Sequence, residues 1–178
     1  MTETLHSHLD APSAWVCRWA ELIPAGARVL DVAAGGGRHA RYFASRGCRV
    51  DAVDRDADAM ANLGAVQGIT VLCADIECGP WPYSGHSFAG IVVANYLHRP
   101  LFPHLLAALA PGGVLIYETF AAGNEKYGRP GNPDFLLQTG ELLELARGRL
   151  KVVAYEDVYI SEPRKAMVQR LCAVNPTP

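Results

Sequence analysis

Apolar and polar positions divide this chain into short helices and strands that take turns. Residues 12–23 set Trp15, Val16, Trp19, Leu22 and Ile23 at the spacing of one helix face. Pro12 suits a first turn there, and Pro24-Ala25-Gly26 a stop. A first strand is predicted over 28–32, a helix over 37–46 ended by Gly47, and a second strand over 49–53. Residues 56–63 read as a short helix closed by Gly64, with acidic residues at its positive end, and 69–73 as a third strand. The segment 77–87 contains Pro80 and Pro82 and cannot be regular helix. Residues 90–94, Gly-Ile-Val-Val-Ala, are apolar throughout, as a strand covered on both faces should be. A helix over 101–109 is broken by Pro111-Gly112-Gly113, a fifth strand follows over 114–118, and 141–146 is helical again. Two extended stretches, 150–159 and 165–174, are separated only by a turn around Pro163, so they form a hairpin.

Strands alternating with helices, then a hairpin, predict a Rossmann-like, doubly wound α/β sheet of about seven strands. Helices cover both faces, and the C-terminal hairpin inserts its last strand antiparallel. With 178 residues, no repeat and no linker, the expectation is a single domain over 1–178. The 121–133 loop, rich in Gly, Pro and Asn, is longer than a connection requires.

Composition narrows the partners. A net charge of −2 and no Lys/Arg stripe disfavour nucleic acid. No apolar run reaches the roughly 20 residues of a membrane span, and the first residues lack the features of a secretory signal. The five cysteines are odd in number and include no C-x-x-C pair, so they read as reduced thiols. The expected location is cytoplasmic. His6 and His8 could be metal ligands, but without further ligands they read as part of a terminal tail, and no metal is expected.

In an open parallel sheet, ligands sit beyond the carboxyl ends of the strands. Those ends carry Asp31 and Gly35 to Gly37 after the first strand, Asp54 at the second, and Asp75 after the third. Asn95 and Tyr96 end the fourth and Glu118 the fifth. Gly35-Gly36-Gly37-Arg38-His39-Ala40 satisfies a G-x-G-x-x-A dinucleotide pattern, which makes a nicotinamide-dependent oxidoreductase one alternative. Asp31 argues against it: a carboxylate beside the loop repels a pyrophosphate, whereas it favours a sulfonium and an α-amino group. Asp54 can accept hydrogen bonds from ribose hydroxyls, and Asp75 one from an adenine amino group, with Ile76 against the ring.

These residues resemble the class I S-adenosylmethionine-dependent methyltransferases along essentially the whole chain. The family's D/E-x-G-x-G-x-G motif corresponds to Asp31-Val32-Ala33-Ala34-Gly35-Gly36-Gly37, with Ala33 where the family usually has glycine. The Ala33 methyl group should narrow the loop's approach to the cofactor. Phe88-Ala89-Gly90 departs too, since many members carry an aspartate after the aromatic residue. The segments Asn95–Leu105 and Tyr117–Leu137 look like a bacterial subgroup near the tellurite-resistance type. The resemblance implies S-adenosyl-L-methionine as cofactor, held by Asp31, Ala33, Gly35, Gly37, Asp54, Arg55, Asp75, Ile76 and Asn95. Trp15 and Trp19 read first as packing residues, although the N-terminal helix, within 1–24, could cover the cofactor side.

The acceptor is expected to be a small molecule. Tyr96, His98 and Arg99 are candidate catalytic residues: His98 as a base, or Arg99 as the holder of an anionic acceptor. Both could instead cap the following helix or face water. Tyr127, Arg129 and Asn132 in the long loop are candidates for a substrate lid, the alternative being a polar turn. A non-catalytic module that only binds the cofactor is a third possibility.

Overall fold

The computed structural model describes residues 11–177. His6, His8 and the start of the expected N-terminal region lie outside the described residues. Ser13 opens the first helix, its hydroxyl accepting from the N–H groups of Trp15 and Val16. That helix, α1 (Ala14–Trp19), continues as a 3-10 turn, Ala20–Leu22, so the predicted helix is tighter at its end. Then come β1 (Arg28–Val32), α2 (Arg38–Ser45), β2 (Arg49–Asp54), α3 (Ala57–Met60) and β3 (Ile69–Cys73). The chain continues with β4 (Phe88–Ala94), α4 (Phe102–Ala107) and β5 (Leu109–Phe120). It closes with α5 (Glu141–Ala146), β6 (Lys151–Ile160) and β7 (Ala166–Val174).

The seven strands form one sheet in the order β3-β2-β1-β4-β5-β7-β6. Strands β1 to β5 run parallel, and β7 inserts antiparallel between β5 and β6. This is the doubly wound sheet with its terminal hairpin. Alternation along β1 divides the core: Leu30 and Val32 pack with Leu105 of α4 and Leu142 of α5, while Val29 packs with Phe43 of α2 and Trp15 of α1. Each buried aliphatic side chain is worth about 1.5–3 kcal/mol, so both helical layers are held by the strands between them.

Two expectations are corrected. Only Ala57–Met60 of the predicted 56–63 helix is α-helical; Asp56 caps it by accepting from the Ala59 N–H at 2.9 Å, and turns carry Leu63 into the core. The Pro111-Gly112-Gly113 break lies inside β5. Pairing with β4 jumps from Phe88↔Leu109 to Gly90↔Val114, so the extra residues bulge out. Asn175 staples the bulge, donating from Nδ2 to the carbonyls of Leu109 and Ala110 at 2.8 and 3.1 Å. A Cβ on Gly113 would lie 2.9 Å from the Phe88 carbonyl oxygen, which is why glycine stands there.

Candidate functional site

Chain direction across the sheet reverses between β1 and β4, and a cleft opens beyond their carboxyl ends. Two residues meet there with left-handed backbone, Ala33 at φ 54° and Asn95 at φ 56°. They are the only non-glycine residues with positive φ among those described. Asn tolerates that region better than most side chains, and Ala pays for it sterically. The two divide the cleft. On one side lies a cavity of about 450 Å³ that reaches the ends of β2, β3, β4 and β5. On the other, a cavity of about 520 Å³ follows the glycine loop, with Arg38, His39 and Arg41 along its wall. Both volumes fall in the range of about 300–1,000 Å³ usual for small-molecule sites.

The acidic residues behave differently from one another. Asp54 stands at the end of β2, Oδ2 accepting from the Gly35 N–H at 2.8 Å and Oδ1 from the Asp56 N–H at 2.9 Å. It shapes the loop and still has a free lone pair on each oxygen. Asp75 accepts from the N–H groups of Glu77 and Cys78 through Oδ1, at 2.9 and 3.2 Å. These backbone bonds hold its carboxyl below the ordinary range, leaving an ionised acceptor at the cavity wall.

Asp31 is another matter. It shares the strand face of Val29, is only 1% exposed, and accepts from the Ala40 N–H of α2 at 2.9 Å. Burial pushes its carboxyl up to about 7. It lines neither cavity, so the expected direct charge on a ligand is replaced by a bond that sets α2 on the sheet. Gly37 is likewise absent from the walls; a Cβ at its φ of 75° would run into the Leu63 side chain. Ala33, Gly35, Asp54, Arg55, Asp75, Ile76 and Asn95 do line the cleft.

On the far side, Tyr96 lines the first cavity, while His98 and Arg99 do not. The Tyr96 hydroxyl is buried without a hydrogen-bond partner, and burial together with nearby Glu77 raises its pKa. The Tyr117 hydroxyl donates to the Tyr96 carbonyl at 3.0 Å and fixes its backbone. Arg99 is consumed: Nε and Nη2 grip Glu141 at 2.6 and 2.9 Å, Nη1 donates to the Asp134 carbonyl and Nη2 to that of Leu136, both at 2.9 Å. That corrects the reading of Arg99 as a free holder of anions.

The long loop meets the cleft through residues other than those expected. Tyr127 packs against Tyr159 with ring centroids 5.0 Å apart and planes tilted by 46°, and Asn132 accepts from the Asp134 N–H. Neither they nor Arg129 line the cavity, but Pro130 and Phe135 do. Glu77, Leu97, Thr119 and Phe120 were also not anticipated. Thr119 and Phe120 follow from the rule of strand ends once β5 is seen to run two residues past Glu118. Glu118 itself is buried, accepting from Arg170 Nε at 2.9 Å. Nothing in sequence spacing signals Phe135.

Comparison with known proteins agrees with this geometry. Residues 29–113 match the family described as a methyltransferase domain. No curated protein is significantly similar in sequence. Among solved structures, TehB from Haemophilus influenzae superposes with a TM-score of 0.73 at 18% identity, over 90% of this chain and 61% of that one. The chain thus spans about three fifths of that protein's length. A TehB-like S-adenosylmethionine-dependent methyltransferase from Corynebacterium glutamicum gives 0.66 at 18% identity, over 90% of this chain and 86% of that one. A Burkholderia thailandensis 1,6-didemethyltoxoflavin-N1-methyltransferase, solved with that compound and S-adenosylhomocysteine, gives 0.67 at 20% identity, over 97% and 81%. The family match supports methyl transfer and lends no support to the dinucleotide reading of residues 35–40. Residues 29–113 thus match a methyltransferase domain, and the chain has the fold of S-adenosylmethionine-dependent methyltransferases such as the Corynebacterium one.

Proposed function

We propose that this methyltransferase acts on a small molecule bound in the first cavity, with its cofactor lying across Ala33 and Asn95 into both cavities. The observation that carries the reading is the pair of carboxylates at the ends of β2 and β3, Asp54 and Asp75, in one cleft with the loop that Asp54 fastens. Their open lone pairs fit the hydroxyls of a ribose and the amino group of an adenine, and Ile76 supplies an apolar surface beside them. The walls around Gly35, Arg38 and Arg41 suit the amino-acid end. When bound, S-adenosylmethionine supplies a methyl group already activated on a sulfonium.

The residues of the chain therefore have to hold, orient and dry the reactants more than to react themselves. Asp31 and Gly37 act at one remove, by fixing α2 behind the loop. Tyr96 keeps its proton at neutral pH and is a hydrogen-bond donor, not a base. His98 lies outside the cavity and no histidine among the described residues lines it, so an acceptor atom with a ready lone pair suits it best. The Burkholderia enzyme, by its name, methylates a small molecule at nitrogen, which supports the same class here. No helix among the described residues is long and apolar enough to cross a membrane.

Calorimetric titration of the purified protein with S-adenosylmethionine, S-adenosylhomocysteine and NAD tests the reading. Binding of the first two and not of NAD is expected. Binding of NAD alone would overturn it.

A further inference from the structure

The first cavity has two chemically different ends. Its charged lining residues, Asp54, Arg55, Asp75 and Glu77, stand at the end of β2 or just after β2 and β3. The end formed after β4, after β5 and by the long loop carries Tyr96, Leu97, Thr119, Phe120, Pro130 and Phe135, with no charge among them. A charged acceptor placed there would meet no charge in the lining: Arg99 is spent on Glu141, and Arg164 lies against the Phe120 ring at 4.7 Å without lining the cavity.

Phe135 is the telling residue. The residue is 52% exposed, unusual for a phenylalanine in a held segment. The carbonyls on either side of it, of Asp134 and Leu136, both accept from Arg99. Glu141 holds Arg99 in a two-pronged pair and also accepts from the Gln138 N–H at 2.8 Å. Pro130 is fixed separately: buried Asn124 donates from Nδ2 to its carbonyl at 2.9 Å and accepts from the Met167 N–H at 3.2 Å. The segment is thus a fixed wall and not a loose lid. A ring held away from the core at the mouth of a cavity, with its backbone ordered in advance, has already met the conformational cost of gripping a ligand.

We propose that the acceptor is an uncharged, flat aromatic molecule, packed between Phe135 and the Tyr96–Leu97–Phe120 side of the cavity. Phe135 determines its specificity, and Arg99 is the positioning residue that aims Phe135. Tyr96, whose buried hydroxyl has no well-aligned partner and lies near Glu77, is a polar lining group that such a ring's heteroatom or substituent would meet. The proposal rests on the assignment of the opposite end of the cleft to the cofactor.

The test uses the full chain saturated with S-adenosylhomocysteine and three matched probes: 2-naphthol, 2-naphthoate and decahydro-2-naphthol. Binding is read by calorimetry and by ligand-detected NMR. We expect 2-naphthol to bind at least about tenfold more tightly than either the anion or the saturated ring. Phe135→Ala should weaken 2-naphthol by about tenfold or more and Phe135→Leu by less, both leaving S-adenosylhomocysteine affinity unchanged. Arg99→Lys should abolish the nuclear Overhauser contacts between 2-naphthol and the Phe135 ring while S-adenosylhomocysteine still binds; a merely structural loss would weaken both. Tighter binding of 2-naphthoate, no binding of 2-naphthol to the wild type, or indifference to Phe135→Ala overturns the proposal. Failure of the wild type to bind S-adenosylhomocysteine would instead strike the cofactor assignment.

Discussion

Ala33 carries a side chain where the backbone favours none. An L-residue in the left-handed region costs about 1–2 kcal/mol, partly offset when glycine, its natural replacement, adds freedom to the unfolded chain. Ala33→Gly should therefore stabilise the protein by about 0.5–1 kcal/mol, seen as a higher urea midpoint, with no loss of S-adenosylhomocysteine affinity. A lower midpoint would show that the position is not strained. The sequence marked Ala33 as the departure from the family motif, and the fold explains why it matters: it stands between both cavities. Asp31 was legible only in part. Its place near the strand end suggested a ligand contact, but it shares the strand face of Val29 and so points under α2. Buried with its carboxyl at about 7, against about 3.9 in an unfolded chain, it holds a proton in the native state that the unfolded state has lost. Its contribution to stability is thus full below about pH 4, declines as pH rises, and is lost above about 7. Asp31→Asn keeps an acceptor for the Ala40 N–H without that titration. Urea unfolding at pH 5 and pH 7.5 should show the mutant gaining more than about 1 kcal/mol on the wild type between the two. An unchanged gap would mean that Asp31 does not titrate in this window.

At the scale of elements, the strands were legible because each is a short apolar run with turn residues at its ends. β1 and β3 match their predicted bounds, and β2 and β4 differ only at a terminus. Short helices were less so, since α3 is set by one aspartate cap and by Met60 and Leu63 finding the core, and no local pattern demands a second turn. The bulge in β5 needed Asn175, more than sixty residues from the carbonyls it binds in sequence. The wall of the acceptor end was invisible for the same reason. Arg99 reaches Asp134, Leu136 and Glu141 across separations of 35 to 42 residues, and such contacts leave no periodicity to read. Gln169 adds to them, donating to the Gln138 carbonyl at 2.6 Å and accepting from the Leu142 N–H at 3.3 Å. What looked like a loop too long for a connection is a segment tied to β7 and α5, and its rigidity is what lets an exposed ring keep its aim.

At the scale of the whole molecule, one residue fastens the loop on which the cleft is built. The parallel order β3-β2-β1-β4-β5 puts the cleft where the winding reverses, and Asp54 reaches from β2 to the loop after β1 through Gly35. A ligand lying across this junction stabilises the native state by mass action, by about 2.7 kcal/mol at a hundred times its Kd. In a chain of this length that raises Tm by roughly 5–10 °C. Asp54→Ala removes the carboxylate acceptors of two backbone N–H groups, so the unliganded protein should melt lower, consistent with losing about 1–2 kcal/mol. On the proposed assignment of Asp54 to the ribose, the same substitution should shrink the rise given by a fixed concentration of S-adenosylhomocysteine, because the loop is no longer held and that acceptor is gone. Differential scanning fluorimetry of both proteins, with and without the ligand, separates the two effects. If Asp54→Ala lowers Tm but the ligand-induced rise is undiminished, then Asp54 fastens the loop without holding the cofactor, and the ribose must be sought elsewhere on the cavity wall, with Arg55 and Glu77 the next residues to replace.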